Sequence, residues 1–417
     1  MRQGCGRRIR LGIVVAALCA IAAPASASAE PWTQHALGLQ YELASDVPLR
    51  NAPWVGTHNS FNSVAEMGPA LSPLDANQKL AIVDQLRLGI RSIELDVHWF
   101  PSARTGGFAP VVCHATGEHA GCSVEKTLAE VLREIHGWLG ENPDQVLLLY
   151  LEDHLDAQEG HDAAAAVLEQ ELGSAIYRPP VGGGCAPTPL DLRRNQVRST
   201  GAQVVIVSSC GSGTAWPAQV FDFSRHEETR PRGYRDFPDC GPDFDRATYD
   251  NEMVRYFEDS TKVTAGGSVA GASTRDDGIT PATAAAMARC GVDLLGLDQL
   301  TVGDARLDAL VWSWAPGEPG SGDCAVQRAD ARWQALACNE AHRAACRAAD
   351  GSWGVTPSAE AWPDAAGACA SQSAVLAAPR TGYEGQLLRV AMEAAGASDA
   401  WLGLTRSGDS WRALDVR

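Results

Sequence analysis

Positive charge is scarce in this sequence: 34 Lys and Arg stand against 51 Asp and Glu over 417 residues, a formal charge of −17. With no long basic stripe to offset the acids, a nucleic-acid backbone is excluded as a partner. Any phosphate recognised here must be held by a local site or by a bound cation. Membrane-spanning length is missing too, since the apolar run from Leu11 to Ala23 is thirteen residues and a span needs about 20. No C-x-x-C pair occurs, so metal–thiolate sites are not expected. No fixed-period repeat of solenoid type is present, nor the glycine period of collagen.

What remains is a globular composition, 45% hydrophobic and 20% charged, long enough for one large domain and a smaller one. The first residues read as a leader. Arg2, Arg7, Arg8 and Arg10 precede the apolar run, and Ala27-Ser28-Ala29 supplies a small-x-small cleavage pattern, so 1–29 is taken as a signal peptide. Removing it brings the formal charge to about −21. The mature protein is expected to be secreted, with the periplasm as the other oxidising destination. Ten cysteines then remain, an even number in an oxidising compartment, and disulfides are expected. Cys113 and Cys122 form the local pair. Cys185, Cys210, Cys240 and Cys290 allow three pairings.

Composition shifts near residue 312. Seven of the twelve tryptophans (Trp312, Trp314, Trp333, Trp353, Trp362, Trp401 and Trp411) lie beyond that point. Residues 30–315 are therefore read as the main domain and 316–417 as a small Cys- and Trp-rich module. The main domain alternates strand-like and helix-like segments. Strands are expected at Trp54 to Thr57, Ile90 to Val97, Val111 to Cys113, Val146 to Leu151, Val204 to Val207, Leu294 to Leu297 and Leu310 to Trp314. Helices fall at Asn77 to Leu88, after a Ser123 cap, and after Thr280-Pro281 with Gly291 as the stop. This alternation points to a (β/α)₈ TIM-type barrel, where reactive groups sit at the carboxyl ends of strands. A doubly wound open sheet is the alternative.

The polar residues collect at those strand ends: Thr57-His58-Asn59-Ser60, then Glu94-Leu95-Asp96, then Cys113-His114, then Leu151-Glu152-Asp153-His154. Glu94 and Asp96, two apart on a strand, point the same way. An oxygen-only set of Glu, Asp and Asn suits a hard cation, Ca²⁺ or Mg²⁺. Two imidazoles beside it suit phosphodiester cleavage, one taking a proton and the other giving one. Glu152 and Asp153 compete for one place, since a one-residue slip in register exchanges them. His98 and His154 read as structural neighbours, and nothing assigns Asp298 a role. Arg91, three residues before Glu94, is expected to face away and pack.

These four motifs in order resemble the X region of the phosphatidylinositol-specific phospholipase C superfamily, over roughly residues 50 to 315. The resemblance implies a distorted TIM barrel that cleaves the glycerol-side phosphodiester of inositol phospholipids. It implies His58 as general base, His114 as general acid, and a cyclic phosphate as first product. Asn59 after the histidine and the E-L-D of the second strand match the calcium-dependent branch, which implies a Ca²⁺ site of Asn59, Glu94, Asp96 and Glu152. The expected partner is a phospholipid or other phosphodiester at a membrane surface, with Trp99 and Phe100 as candidate rim aromatics and a monomer as the expected state.

The tail, from Trp312-Ser313-Trp314 to Trp401, resembles a permuted C-type lectin-like module. That resemblance implies Cys324 paired with Cys338 and Cys346 with Cys369. Gly320 stands where the family's sugar-site asparagine would be, and Gln334-Ala335 follows Trp333 where calcium-binding members have Asn-Asp. A scaffold or docking role is therefore expected of it. The contrasting functional reading is a non-catalytic barrel whose tail binds glycans or a cell surface.

Overall fold

The computed structural model describes Met1 and residues 31–67, 76–114, 122–180, 185–242, 244–259, 278–408 and 410–414. The signal peptide read at 1–29 lies outside them apart from Met1. Eight parallel strands follow one another around a curled sheet. They are β1 (Trp54–Thr57), β2 (Ser92–Ser102), β4 (Leu147–His154), β5 (Val204–Ser208), β6 (Phe221–Asp222), β7 (His226–Glu228), β8 (Met253–Phe257) and β9 (Leu294–Leu297). The order β6-β5-β4-β2-β1-β9-β8-β7 is that of a (β/α)₈ barrel, opened between β6 and β7. The expected distorted TIM barrel is the fold.

Alternation along the strands explains the apolar runs. On β5, Val204 and Ile206 join the layer beneath the helices, while Val205 and Val207 join the barrel interior with Trp54, Leu148, Phe221, Phe223, Met253 and Leu294. Both faces of such a strand are covered, as in other parallel sheets. The same alternation on β2 sends Ile93, Leu95 and Val97 outward and leaves Glu94 and Asp96 to the inside. The helix Pro281–Cys290 begins and ends as its sequence dictates: Thr280 accepts from Thr283 N, and Gly291 stops it at φ 91°. The helix Leu128–Glu141 is capped by Thr127, not Ser123, because Thr127 and Glu130 form a reciprocal capping box.

Three expected elements differ. The strand at Val111 to Cys113 is the end of β3 (Gly107–Val112), which runs antiparallel to an overlong β2. It is a hairpin arm above the rim, not a barrel strand. Leu310 to Trp314 is not a strand: Leu310 ends the helix Ala305–Leu310, and Trp314 makes an isolated bridge to Trp333. The helix expected from Asn77 starts only at Ile82 and runs to Arg87. Asn77 and Gln78 have other work.

The C-terminal segment builds a four-stranded sheet, β10 (Cys324–Arg328), β11 (Trp333–Leu336), β15 (Asp399–Ser407) and β16 (Ser410–Ala413), and a three-stranded one, β12 (Ala345–Ala348), β13 (Trp353–Val355) and β14 (Ala374–Leu376). Trp312, Trp314, Trp333 and Trp411 stack edge-on and tilted where this segment leaves the barrel, which accounts for much of the local tryptophan density. The disulfides are Cys113–Cys122, Cys324–Cys338 and Cys346–Cys369, as expected, with Cys185–Cys210 and Cys240–Cys290 completing the set. Among the described residues, no helix is long and apolar enough to cross a membrane.

Candidate active site

β1 ends at Thr57, and the chain turns at once. Asn59 adopts φ 43°, a left-handed conformation that asparagine tolerates better than most residues. Ser60 secures the turn: its Oγ donates to Thr57 O at 3.0 Å and accepts from Glu94 N at 3.0 Å. Asn59 N in turn donates to Glu94 Oε2 at 3.1 Å. The turn that presents His58 is thus bonded to the strand that presents the carboxylates.

On that neighbouring strand Asp96 is the register partner of Glu152, and Glu94 of Tyr150. Oxygens of Glu94, Asp96 and Glu152 lie within 4.8 Å of one another. Asp153 faces the other way, where it accepts from His161 Nε2 at 2.8 Å and from Leu155 N at 3.0 Å. The Asn59 amide completes the group, 2.8 and 2.9 Å from the two Asp96 oxygens. Nitrogen first, it donates to Asp96 and its oxygen accepts from His58 Nε2; oxygen first, it would add a fourth oxygen donor to the three carboxylates. Gathered carboxylates plus an amide, with no thiol among them, fit a hard divalent cation. All four expected ligands are therefore brought together.

The far side of His58 is held as firmly. Its Nδ1 lies 3.2 Å from Asp298 Oδ1, at the end of β9, and its Nε2 lies 4.0 Å from Glu94 Oε2. Asn77 Nδ2 donates to Asp298 Oδ2 at 3.1 Å, and Gln78 Nε2 donates to His58 O and Leu297 O, both at 2.7 Å. From behind, Glu258 Oε2 accepts from Asp298 N at 2.7 Å and Arg306 Nη2 donates to Asp298 O at 2.7 Å.

His114 reaches the same rim by a different route from the one its sequence implied. β3 descends from the hairpin tip toward the barrel, and Cys113 N donates to Asp96 O at 3.2 Å. His114 thus follows directly on the residue bonded to Asp96, and its charge, after those of His154 and His58, helps hold the Glu152 pKa down. His154 donates to Glu152 Oε1 at 3.0 Å and stacks on His98 with centroids 4.5 Å apart. Arg91 does face away, donating to Leu86 O and Ile90 O. Trp99 and Phe100 are half-buried, and the exposed aromatic of that hairpin is Phe108.

Below the carboxylates the barrel is lined by rings. Phe257 stacks on His58 with centroids 6.1 Å apart and on Tyr150 at 6.0 Å. Gly296 makes the room, since a Cβ there would fall 1.8 Å from the Phe257 ring. Arg255, two residues earlier on β8, is buried among Tyr150, Phe223 and Phe257 and pairs with Glu228 at 2.7 Å. Neither residue carries a motif that would mark it in the sequence.

Crowding sets the electrostatics. Burial opposes charge on His58, but Glu94, then Asp298 and Asp96, outweigh it and push its pKa up to about 10. Burial raises Glu94, with Glu152 adding to the effect and His58 opposing it. Burial, then Glu152 and Glu94, raise Asp96 well above the usual carboxylate range. Glu152 is lowered, chiefly by the hydrogen bond from His154. Such a cluster is short of positive charge, as a cation site is expected to be.

The family described as the Rv2075c PI-PLC-like domain matches residues 14–304. The uncharacterized protein Rv2075c of Mycobacterium tuberculosis is 41% identical over 392 residues, 89% of this chain and 80% of that protein. A PI-PLC X domain-containing protein of Arabidopsis thaliana is 26% identical over 121 residues, 28% of this chain and 27% of its own. Among solved structures, the phosphatidylinositol-specific phospholipase C from Listeria monocytogenes is 16% identical, covering 66% of this chain and 97% of its own with a TM-score of 0.40. A pentafluoro-Phe-containing one from Staphylococcus aureus is 14% identical, covering 67% and 98%, with a TM-score of 0.44. Matched over most of its length, the chain belongs to the Rv2075c PI-PLC-like domain family.

Proposed function

We propose that this protein is a secreted, calcium-dependent phosphoric diester hydrolase that cleaves the glycerol-side phosphodiester of phosphatidylinositol or a closely related lipid. The observation that carries the reading is the His58 imidazole beside three gathered carboxylates at one end of the barrel, held at its far nitrogen by Asp298, with Cys113, the residue before His114, bonded to Asp96 O.

The carboxylates that push the His58 pKa up to about 10 keep Nε2 protonated. With their charge offset by a cation, His58 would keep its Nδ1–H on Asp298 and Nε2 would be free to take the proton of the attacking hydroxyl. For an inositol lipid that hydroxyl is the neighbour of the phosphate ester, so attack closes a cyclic phosphate. His114 gives its proton to the departing glycerol oxygen, and the P–O bond to diacylglycerol breaks. With the roles exchanged, water opens the cycle: His114 takes its proton and His58 returns one to the ring oxygen. Asn59, Glu94, Asp96 and Glu152 would hold the cation. When bound, Ca²⁺ would offset the charge of the carboxylates and the negative charge developing on phosphate. Phe257 offers a flat apolar wall beside His58, and Arg255 places a cation beneath it.

A lipid surface is the expected setting. Of the exposed large apolar side chains, Val64, Phe108, Val124 and Val302 belong to segments that follow β1, form or follow the β2–β3 hairpin, or follow β9, at the end of the barrel that carries the site, while Val375 and Val390 lie in the C-terminal segment. The test is incubation of the mature protein with a phospholipid panel in calcium or chelator, with products identified. Calcium-dependent release of diacylglycerol supports the reading, and no hydrolysis of any phosphodiester contradicts it.

A further inference from the structure

Two residues that the sequence assigned to a helix lie instead between the ends of β1 and β9. Asn77 and Gln78 are completely buried, and every side-chain polar atom of theirs is engaged. Asn77 Oδ1 accepts from Asn62 Nδ2 at 2.7 Å, while its Nδ2 donates to Asp298 Oδ2 at 3.1 Å and lies 3.4 Å from His58 Nδ1. Gln78 Nε2 spans three acceptors, His58 O, Leu297 O and Asp298 Oδ1, the last at 3.2 Å. Gln78 Oε1 accepts from Leu300 N at 3.4 Å.

Resting on the function proposed above, we propose that Asn77 and Gln78 are positioning residues for His58, acting through Asp298 and through the carbonyl of His58 itself. A carboxylate has two oxygens and could turn either toward solvent or toward the cation site. Here one oxygen is tied to Asn77 and the other is shared by Gln78 and His58, so the Asp298 plane is fixed. Amide donors suit the task, since they carry no charge and do not titrate. Neither amide reaches the surface, so neither touches substrate. The clamp gives His58 one orientation, Nδ1 toward Asp298 and Nε2 toward the carboxylates. Small departures from such a geometry are costly in rate, up to about a hundredfold for a displacement of about 1 Å.

The test compares Asn77→Leu, which keeps the bulk and loses the donor, with Asn77→Ser, which keeps a donor. In the full mature chain, Asn77→Leu should lower kcat by about tenfold to a hundredfold with KM unchanged, and Asn77→Ser should recover part of the loss. Independently of turnover, the His58 Nδ1–H resonance in the nitrogen-15 NMR spectrum should vanish or shift in Asn77→Leu and persist in Asn77→Ser. Should leucine prevent folding, serine against wild type carries the same comparison through the resonance and the kcat-to-KM split. A leucine variant with wild-type kcat and an unmoved resonance overturns the inference. A wild-type protein that turns over no phosphodiester contradicts the proposed function instead and leaves the resonance test standing.

Discussion

Asp96 on β2 and Glu152 on β4 are partners in the register of adjacent parallel strands, so the sheet itself brings their carboxylates together. Asp153, one residue on, projects to the opposite face and is bonded to His161. Isothermal titration with calcium should therefore separate neighbours. Asp96→Asn and Glu152→Gln are each expected to weaken binding by at least about tenfold, the equivalent of 1.4 kcal/mol. Asp153→Asn should leave calcium affinity near that of wild type.

Replacing either histidine should abolish most turnover in a chain that is still folded. His58→Ala and His114→Ala are each expected to lower turnover by about 10²–10⁴-fold, the usual contribution of general acid–base groups. Melting temperature should change little in His114→Ala, whereas His58→Ala also removes the partner of Asp298 and the ring stacked on Phe257 and should melt lower, so its turnover is compared where the variant is folded. Steady-state kinetics and thermal denaturation on the same preparations check this.

Asp153 gives a pH-dependent stability prediction. Burial opposes its ionisation, but hydrogen bonds from His161, Ser209 and Leu155 N outweigh it and hold its pKa below the ordinary carboxylate range. A lowered folded-state pKa stabilises the protein above the unfolded value, near 4, and that contribution is lost as pH falls through the folded value. Asp153→Asn should thus cost roughly 1–3 kcal/mol at pH 7 and nothing at the acid end. Urea unfolding at a series of pH values reads the difference.

The Cys113–Cys122 disulfide closes a short loop that begins one residue before His114. Replacing both cysteines by serine should lower stability by about 2–4 kcal/mol. Turnover should fall even under conditions where the variant is fully folded, because the end of β3 is then tied to Asp96 by fewer constraints. Circular dichroism alongside kinetics distinguishes the two losses.

Much of the site was legible because it follows strand periodicity. Glu94 and Asp96 are two apart on a strand whose alternate positions are apolar, and Asn59 and His58 sit where β1 ends. For His114 the sequence suggests the end of a parallel barrel strand, whereas β2 overshoots the rim and β3 returns antiparallel to it. Asp298 could not be assigned, since a lone carboxylate at a strand end has no local signal, and its partner is 240 residues away. Asn77 and Gln78 were absorbed into a helical period that the structure starts only at Ile82. Arg255 and Phe257 lie inside a short strand, where composition does not distinguish an inner face from an outer one.

The most direct measurement is phosphorus NMR of the mature protein acting on phosphatidylinositol vesicles, with calcium and then with excess chelator. The account predicts a cyclic inositol phosphate that forms first, is opened more slowly, and is absent in chelator and in His58→Ala. The same product at the same rate in chelator, or a linear phosphate with no cyclic precursor, would contradict it.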